Sequence, residues 1–234
     1  MNLLLRKSLK LINSPPLHIM PLYHKNISKE GDFLVAVWQI TETAEELVSP
    51  LPDGESLLAE AVGRFKAVSR RAEWLAVRRL MHEVGCREVI KYHPSGRPYL
   101  ESGSFQISIS HTRGYAAIAL HRTLPVGIDI EQRAEKVCRV KDKFLSNEEK
   151  SFIPSEKKNV EALLVIWTAK EAIFKLVDRE GIDFAEHFHV SPFEFAEEGC
   201  LQAYETFTDE QLHFECDYRI YPDFVLTLAQ KLIL

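Results

Sequence analysis

The run Val126–Glu131 (VGIDIE) sets two carboxylates, Asp129 and Glu131, in an otherwise apolar stretch. Its Val and Ile residues favour an extended strand. The side-chain period of two puts both acids on one face, roughly 7 Å apart along the chain. Burying two like charges together is costly, so something must offset their repulsion. A divalent cation is the simplest partner. Magnesium prefers carboxylate oxygens, keeps water and completes its shell with substrate phosphates. The competing reading is a strand end with solvated acids, because D-x-E alone is a weak motif.

The rest of the 234-residue chain bounds the fold. With 46% hydrophobic and 27% charged residues it is ordinary globular sequence, which excludes disorder, collagen and fibrous coiled coil as its main state. Asp32–Ile40 reads as a buried strand, and Pro50, Pro52 and Gly54 mark a loop. The pattern then predicts one helix over Leu57–Val84, stopped by Gly85. Trp74, Val77, Met81 and Val84 face its core side, and Arg71 and Arg78 share a face. Pro94–Gly96 is a turn, and strands follow at Phe105–Ser110, Tyr115–Leu120 and Val126–Ile130. The length of His121–Pro125 suits a hairpin between the last two. Phe144–Phe152 predicts a short helix with Ser146 as N-cap and Glu149 at capping-box spacing. Val160–Val177 is a second long helix, and Phe214–Tyr221 and Phe224–Leu228 are strand-like.

The order strand, helix, strands occurs twice. It predicts an α+β fold of two pseudo-symmetric halves, each a long helix packed on a small, mostly antiparallel sheet. The halves are expected at residues 20–124 and 125–234, in one compact body. Residues 1–29 hold five basic residues, no acid and no signal-peptide core. Residues 1–19 therefore read as a disordered tail or an over-extended start, with Met20 as an alternative to Met1.

Charge and cysteine usage narrow the function classes. Lys+Arg 29 against Asp+Glu 34 gives a net charge of -5, which argues against nucleic acid as a partner. No apolar run approaches the ~18 residues that cross a bilayer. The four cysteines form no CxxC pair, so they read as free thiols in a reducing, cytoplasmic setting.

Two further segments carry chemistry. In Trp167–Lys175 (WTAKEAIFK), Glu171 and Lys175 share a helix face at i,i+4. Alone, that is an ordinary surface ion pair. In Phe105–Thr112 (FQISISHT), Ser110 and His111 end a strand, where a histidine can donate to phosphate or serve only structure.

Together, Gly96–Leu100 (GRPYL), Ile109–His111 (ISH), VGIDIE, Phe144–Glu149 (FLSNEE) and WTAKEAIFK resemble the surfactin-type 4′-phosphopantetheinyl transferases. The likeness runs from Gly96 to Lys175, about a third of the chain, and Leu75–Arg78 (LAVR) looks like the family's L-A-G-R with Val77 for glycine. The resemblance implies an enzyme of the holo-acyl-carrier-protein synthase type. Such enzymes transfer the phosphopantetheine arm of coenzyme A to a serine of an apo acyl, peptidyl or aryl carrier protein, releasing adenosine 3′,5′-bisphosphate. It implies Mg²⁺ on Asp129, Glu131 and Glu171, with Lys175 at the phosphates. Glu171, Glu149 or a metal-bound water would be the general base. Ser110 and His111, helped by Arg97, Arg78 and Arg71, would bind coenzyme A.

The basic stretch after the acidic strand, with Arg133, Lys136 and Arg139, is expected to dock the carrier protein. A monomer is expected, since a cleft can form between two halves of one chain. Two other readings use the same residues. A magnesium-dependent nuclease or phosphohydrolase is opposed by the acidic charge and by the absence of a lysine two residues after Glu131. An inactive carrier-protein-binding protein is opposed by the intact acids.

Overall fold

The structure, a computed structural model, describes residues 22–28, 31–153 and 159–232. The readings of residues 1–19, and of Met1 or Met20 as the start, lie outside the described residues. The first part of the chain runs β1 (Leu22–Ile27), β2 (Phe33–Gln39), α1 (Ala44–Val48), α2 (Gly54–Arg64) and α3 (Val68–Glu83). It continues through β3 (Ile90–Tyr92), β4 (Pro98–Leu100), β5 (Gln106–Thr112) and β6 (Tyr115–His121). The second part runs β7 (Val126–Gln132), α4 (Lys136–Val140), α5 (Asn147–Phe152), α6 (Asn159–Val177) and α7 (Phe184–His187). It ends with β8 (Phe188–Val190), β9 (Glu198–Glu205), β10 (His213–Ile220) and β11 (Phe224–Lys231).

Two antiparallel sheets form, in strand order β1-β2-β6-β5 and β7-β11-β10-β9-β8, beside a small β3-β4 ribbon. Period two decides which layer each residue joins. On β2 and β6, Ala36, Trp38, Ile118 and Leu120 pack with Leu75, Leu80 and Met81 of α3. The alternate residues Val35, Val37, Ala117 and Ala119 meet Ile128, Ile130, Leu226 and Leu228 of the second sheet. On the far side of that sheet, Val225 and Ala229 pack with Leu163, Ile166 and Ile173 of α6. The layers are therefore helix, sheet, sheet, helix. Central strands with cover on both faces read as near-continuous apolar runs, as every residue of β6 is buried. Each large apolar side chain so buried contributes about 1.5–3 kcal/mol before entropy is counted.

The architecture is the α+β arrangement expected, with three local corrections. The single helix over Leu57–Val84 is broken: α2 stops at Arg64, Phe65 is extended (φ -124°, ψ 127°), and α3 restarts at Val68. The bend is held because Phe65 turns its ring toward Trp74, 6.3 Å between centroids. The Arg71 Nε also donates to the freed Phe65 carbonyl at 2.7 Å. Second, β6 and β7 are not a hairpin. His121 Nδ1 accepts from the amides of Thr123 and Leu124, closing a turn that carries the chain out of the first sheet. β7 then pairs with β11, Asp129 opposite Thr227 and Glu131 opposite Val225. Third, β8 and β9 extend the second sheet, where the short or polar runs gave no strand signal.

Candidate active site

The acidic strand and the second long helix meet at Gly127. A Cβ there would run into the Ala172 carbonyl of α6, so glycine is what lets the helix lie this close. That approach lays the Glu171–Lys175 face of α6 over the acidic face of β7. Lys175 Nζ donates to Asp129 Oδ1 at 2.8 Å and to the Ile128 carbonyl at 2.7 Å. Ser110 Oγ, from β5, donates to the same Oδ1 at 2.7 Å. The other oxygen, Oδ2, is buried without a hydrogen-bond partner. Glu131 accepts from Trp167 Nε1 at 3.2 Å.

The three acids feel one another. Burial, then the charge of Asp129, pushes Glu131 above the ordinary carboxylate range. Burial, then Asp129, pushes Glu171 up to about 7; Lys175 opposes the shift and Glu131 adds to it. One ammonium is thus shared among three carboxylates, and the site carries an excess of negative charge in a poorly solvated place.

Among the described residues, no three His, Cys, Asp or Glu side chains form a ready-made metal cage. Magnesium does not require one, because it is held by one or two carboxylates with water and substrate phosphates filling the shell. The orphaned Asp129 oxygen and the two raised glutamates are oxygen donors in want of a cation. The donor set fits the ion.

Two depressions with shared walls lie on the Lys175 side of the site. One, about 200 Å³, is bordered by Arg97, Ser108, Phe174, Lys175 and Asp178. The next, about 430 Å³, is bordered by Arg64, Arg70, Trp74, Arg78, Tyr92 and His111. Gly96, Pro98 and Ile109 border both. A larger cavity of about 580 Å³ by Leu176, Phe207 and Leu212 borders neither the acids nor Lys175, whereas the 200 Å³ depression borders Lys175. Size is therefore a poorer guide to this site than charge.

Residues 125–229 match the family model of the 4′-phosphopantetheinyl transferase superfamily. This part of the chain is similar to that superfamily. The match holds all three acids and Lys175, and it implies phosphopantetheinyl transfer onto a carrier protein. No curated protein matches the sequence significantly. No helix among the described residues is long and apolar enough to cross a membrane.

Against this superfamily background, the other expected residues separate. His111 and Arg78 border the 430 Å³ pocket. The Arg78 guanidinium lies 3.3 Å from the centroid of the Trp74 ring and donates to the Trp74 carbonyl at 3.1 Å. Burial lowers the His111 pKa, with Arg70 acting in the same direction and Glu73 opposing. Arg97 is in the smaller pocket, 3.7 Å from Asp178.

Two expected roles are corrected, those of Arg71 and Glu149. Arg71 borders neither pocket, because its guanidinium is spent on the Phe65 and Lys66 carbonyls of the helix break. Glu149 is 1% exposed, and its oxygens accept from Lys170 Nζ (2.7 Å), the Ser146 amide (2.8 Å) and the Val190 amide (2.8 Å). It is a buried anchor between α5, α6 and β8, closed to a substrate hydroxyl. Arg133 is tied to Glu161 and to the Tyr221 and Pro222 carbonyls. Lys136 and Arg139 are exposed on α4, and Lys136 is near enough to pull Glu131 down against its other shifts.

Sequence reasoning missed Arg70, whose Nη1 lies 3.1 Å from His111 Nε2 and 2.8 Å from Glu73 Oε2. It also missed Arg64. The signal was present: Arg70, Trp74 and Arg78 follow one i,i+4 stripe of α3. Only the break at Phe65 shows that this stripe, not Arg71, faces the pocket.

Proposed function

We propose that the protein is a two-halved, surfactin-type 4′-phosphopantetheinyl transferase. It takes coenzyme A, requires Mg²⁺, modifies a serine of an apo carrier protein and releases adenosine 3′,5′-bisphosphate. The observation that carries this reading is the under-neutralised trio of Asp129, Glu131 and Glu171, beside a lysine and a basic pocket.

In the reaction the serine Oγ attacks the phosphorus bearing the pantetheine arm. The bond to the adenosine-bearing phosphate breaks, and the serine proton must leave. Glu171, directly or through a water that it orients, is the first choice of base; with no cation beside it, burial and Asp129 push its pKa up to about 7. Lys175 borders the smaller pocket and is a quarter exposed, so its ammonium can meet the leaving phosphate while Asp129 and the Ile128 carbonyl fix its direction. Arg70 and Arg78 give the larger pocket the cationic character that a nucleotide 3′-phosphate needs, and His111 adds a ring N–H donor. Asp129, Glu131 and Glu171 would hold Mg²⁺, which when bound neutralises the diphosphate.

In this reading residues 20–124 supply the coenzyme A lip and residues 125–234 the acids, in one monomeric body. The protein works in the cytoplasm on an acidic carrier protein that docks at Lys136 and Arg139. The test is the intact mass of an apo carrier protein incubated with the enzyme, coenzyme A and Mg²⁺. A gain of one phosphopantetheine arm is expected; an unchanged mass contradicts the proposal.

A further inference from the structure

Three connections meet where the acidic strand β7 ends. One is the tip of the β5–β6 hairpin, Arg113 and Gly114. Another is the junction of β7 with α4, residues 133–135, and the last is the turn between β10 and β11, residues 221–223. Thr112 Oγ1, closing β5, accepts from the Gln132 amide at 3.1 Å, one residue beyond Glu131. Tyr115 OH, opening β6, donates to Asp223 Oδ2 at 2.8 Å. The Asp223 carbonyl in turn accepts from the Arg133 amide at 2.9 Å, and the Gly114 carbonyl accepts from the Ile40 amide at 2.7 Å. The hairpin tip is therefore pinned on both sides, next to the end of the strand that carries Asp129 and Glu131.

Arg113 sits on this tip. It is exposed, and among the described residues its side chain has no hydrogen bond or ion pair. Lys136 and Arg139, just beyond the junction, are exposed in the same way. Arg133 differs, being tied to Glu161. The acids of this rim are Glu135, which is exposed, and Asp223, whose carboxylate Tyr115 engages. The rim is thus basic on balance, beside a site that sets three carboxylates against one ammonium.

That contrast matters for a protein substrate. An acidic partner bringing a serine to the acids is repelled by the site itself, and a basic rim offsets the repulsion. Rim charges steer an oppositely charged partner and fix its orientation, so they act on association more than on the chemical step. A pinned backbone also lowers the cost of ordering the contact.

We propose that Arg113 is a docking residue for the acidic carrier protein, so that the first half of the chain shares the carrier-binding rim with Lys136 and Arg139 of the second. This rests on the function proposed above.

The test is steady-state kinetics with the carrier protein that gains mass in the transfer assay, each substrate being varied in turn. Arg113→Glu is expected to raise the KM for carrier protein about three- to tenfold, with kcat and the KM for coenzyme A within about twofold of wild type. Arg113→Lys, which keeps the charge, is expected to retain the wild-type KM. Between about 50 and about 300 mM NaCl the wild-type KM for carrier should rise, and that of Arg113→Glu should rise less. Lys231→Glu makes the same change of charge at the Val126 end of the acidic strand, away from the rim, and is expected to leave the carrier KM unchanged.

A carrier KM unchanged in Arg113→Glu overturns the proposal. So does an equal rise in Lys231→Glu, which would mark an effect of net charge alone. If the wild type adds no arm to any carrier protein, the functional reading fails first and takes this inference with it. If the wild type transfers the arm and Arg113→Glu matches it, only this inference fails.

Discussion

Lys170 and Lys175 stand five residues apart on α6, and each holds a carboxylate, at 2.7 and 2.8 Å. Lys170 and Glu149 are 0% and 1% exposed, and every charge-bearing atom of the pair is satisfied. Lys170 also donates to the Phe144 and Phe184 carbonyls, and Glu149 also binds the Ser146 and Val190 amides. Lys175 and Asp129 are 27% and 7% exposed, and one oxygen of Asp129 is left without a partner. The first pair is closed and anchors the helix that carries the site. The second is open and next to two more acids. What separates the two ion pairs is the degree to which their hydrogen-bonding capacity is used up.

The comparison is sharpened most by Glu171→Gln. Loss of a general base costs about 10²–10⁴-fold in turnover, so transfer is expected to fall into that range. The same change is expected to stabilise the fold at pH 8. The folded-state pKa of Glu171 lies near 7, above its ordinary 4.5. Between these values the folded chain keeps a proton that the unfolded chain has released, so stability falls as pH rises through the window. Glutamine removes that fall. Melting curves at pH 5 and pH 8 check it: the variant's advantage should appear at pH 8 and vanish at pH 5. A lower melting temperature at pH 8 would break the account of an under-neutralised site.

Glu149→Ala tests the closed pair. It strands the Lys170 ammonium, whose pKa burial already lowers, in a dry environment. A loss of about 3–5 kcal/mol is expected in urea denaturation. Lys175→Ala should cost well under half as much stability while depressing transfer strongly. Equal stability losses would erase the distinction between the pairs.

A smaller effect follows from pH. Protons compete with a cation for Glu171, so Mg²⁺ affinity should fall about tenfold from pH 8 to pH 6, read as a shift in half-saturation. An affinity constant over that range would remove Glu171 from the metal set. Smallest, reversing the charges of Lys136 and Arg139 should raise the KM for carrier protein several-fold and leave that for coenzyme A unchanged.

Much of this was legible in sequence. Period-two alternation placed Asp129 and Glu131 on one face, and the i,i+4 spacing joined Glu171 to Lys175. What sequence could not convey was where the neighbours stand. Glu149 sits at the N3 position of a capping box, which was read from Ser146, but its burial beneath Lys170 depends on how α5 meets α6. Ser110 sits beside His111 in the chain, yet alternation sends its hydroxyl to Asp129 and leaves His111 to the pocket. Arg71 and Arg70 are neighbours whose roles are set by the break at Phe65. Hydrophobic periodicity does not register that break, because both flanking helices are amphipathic.

The proposed role of Asp129, Glu131 and Glu171 is to hold a divalent ion together on the diphosphate. Its most direct test is the rate of carrier modification by Asp129→Ala across a full Mg²⁺ titration, with folding verified by circular dichroism. A folded variant with almost no transfer at any Mg²⁺ concentration is the predicted result. Wild-type rates throughout the titration would contradict it.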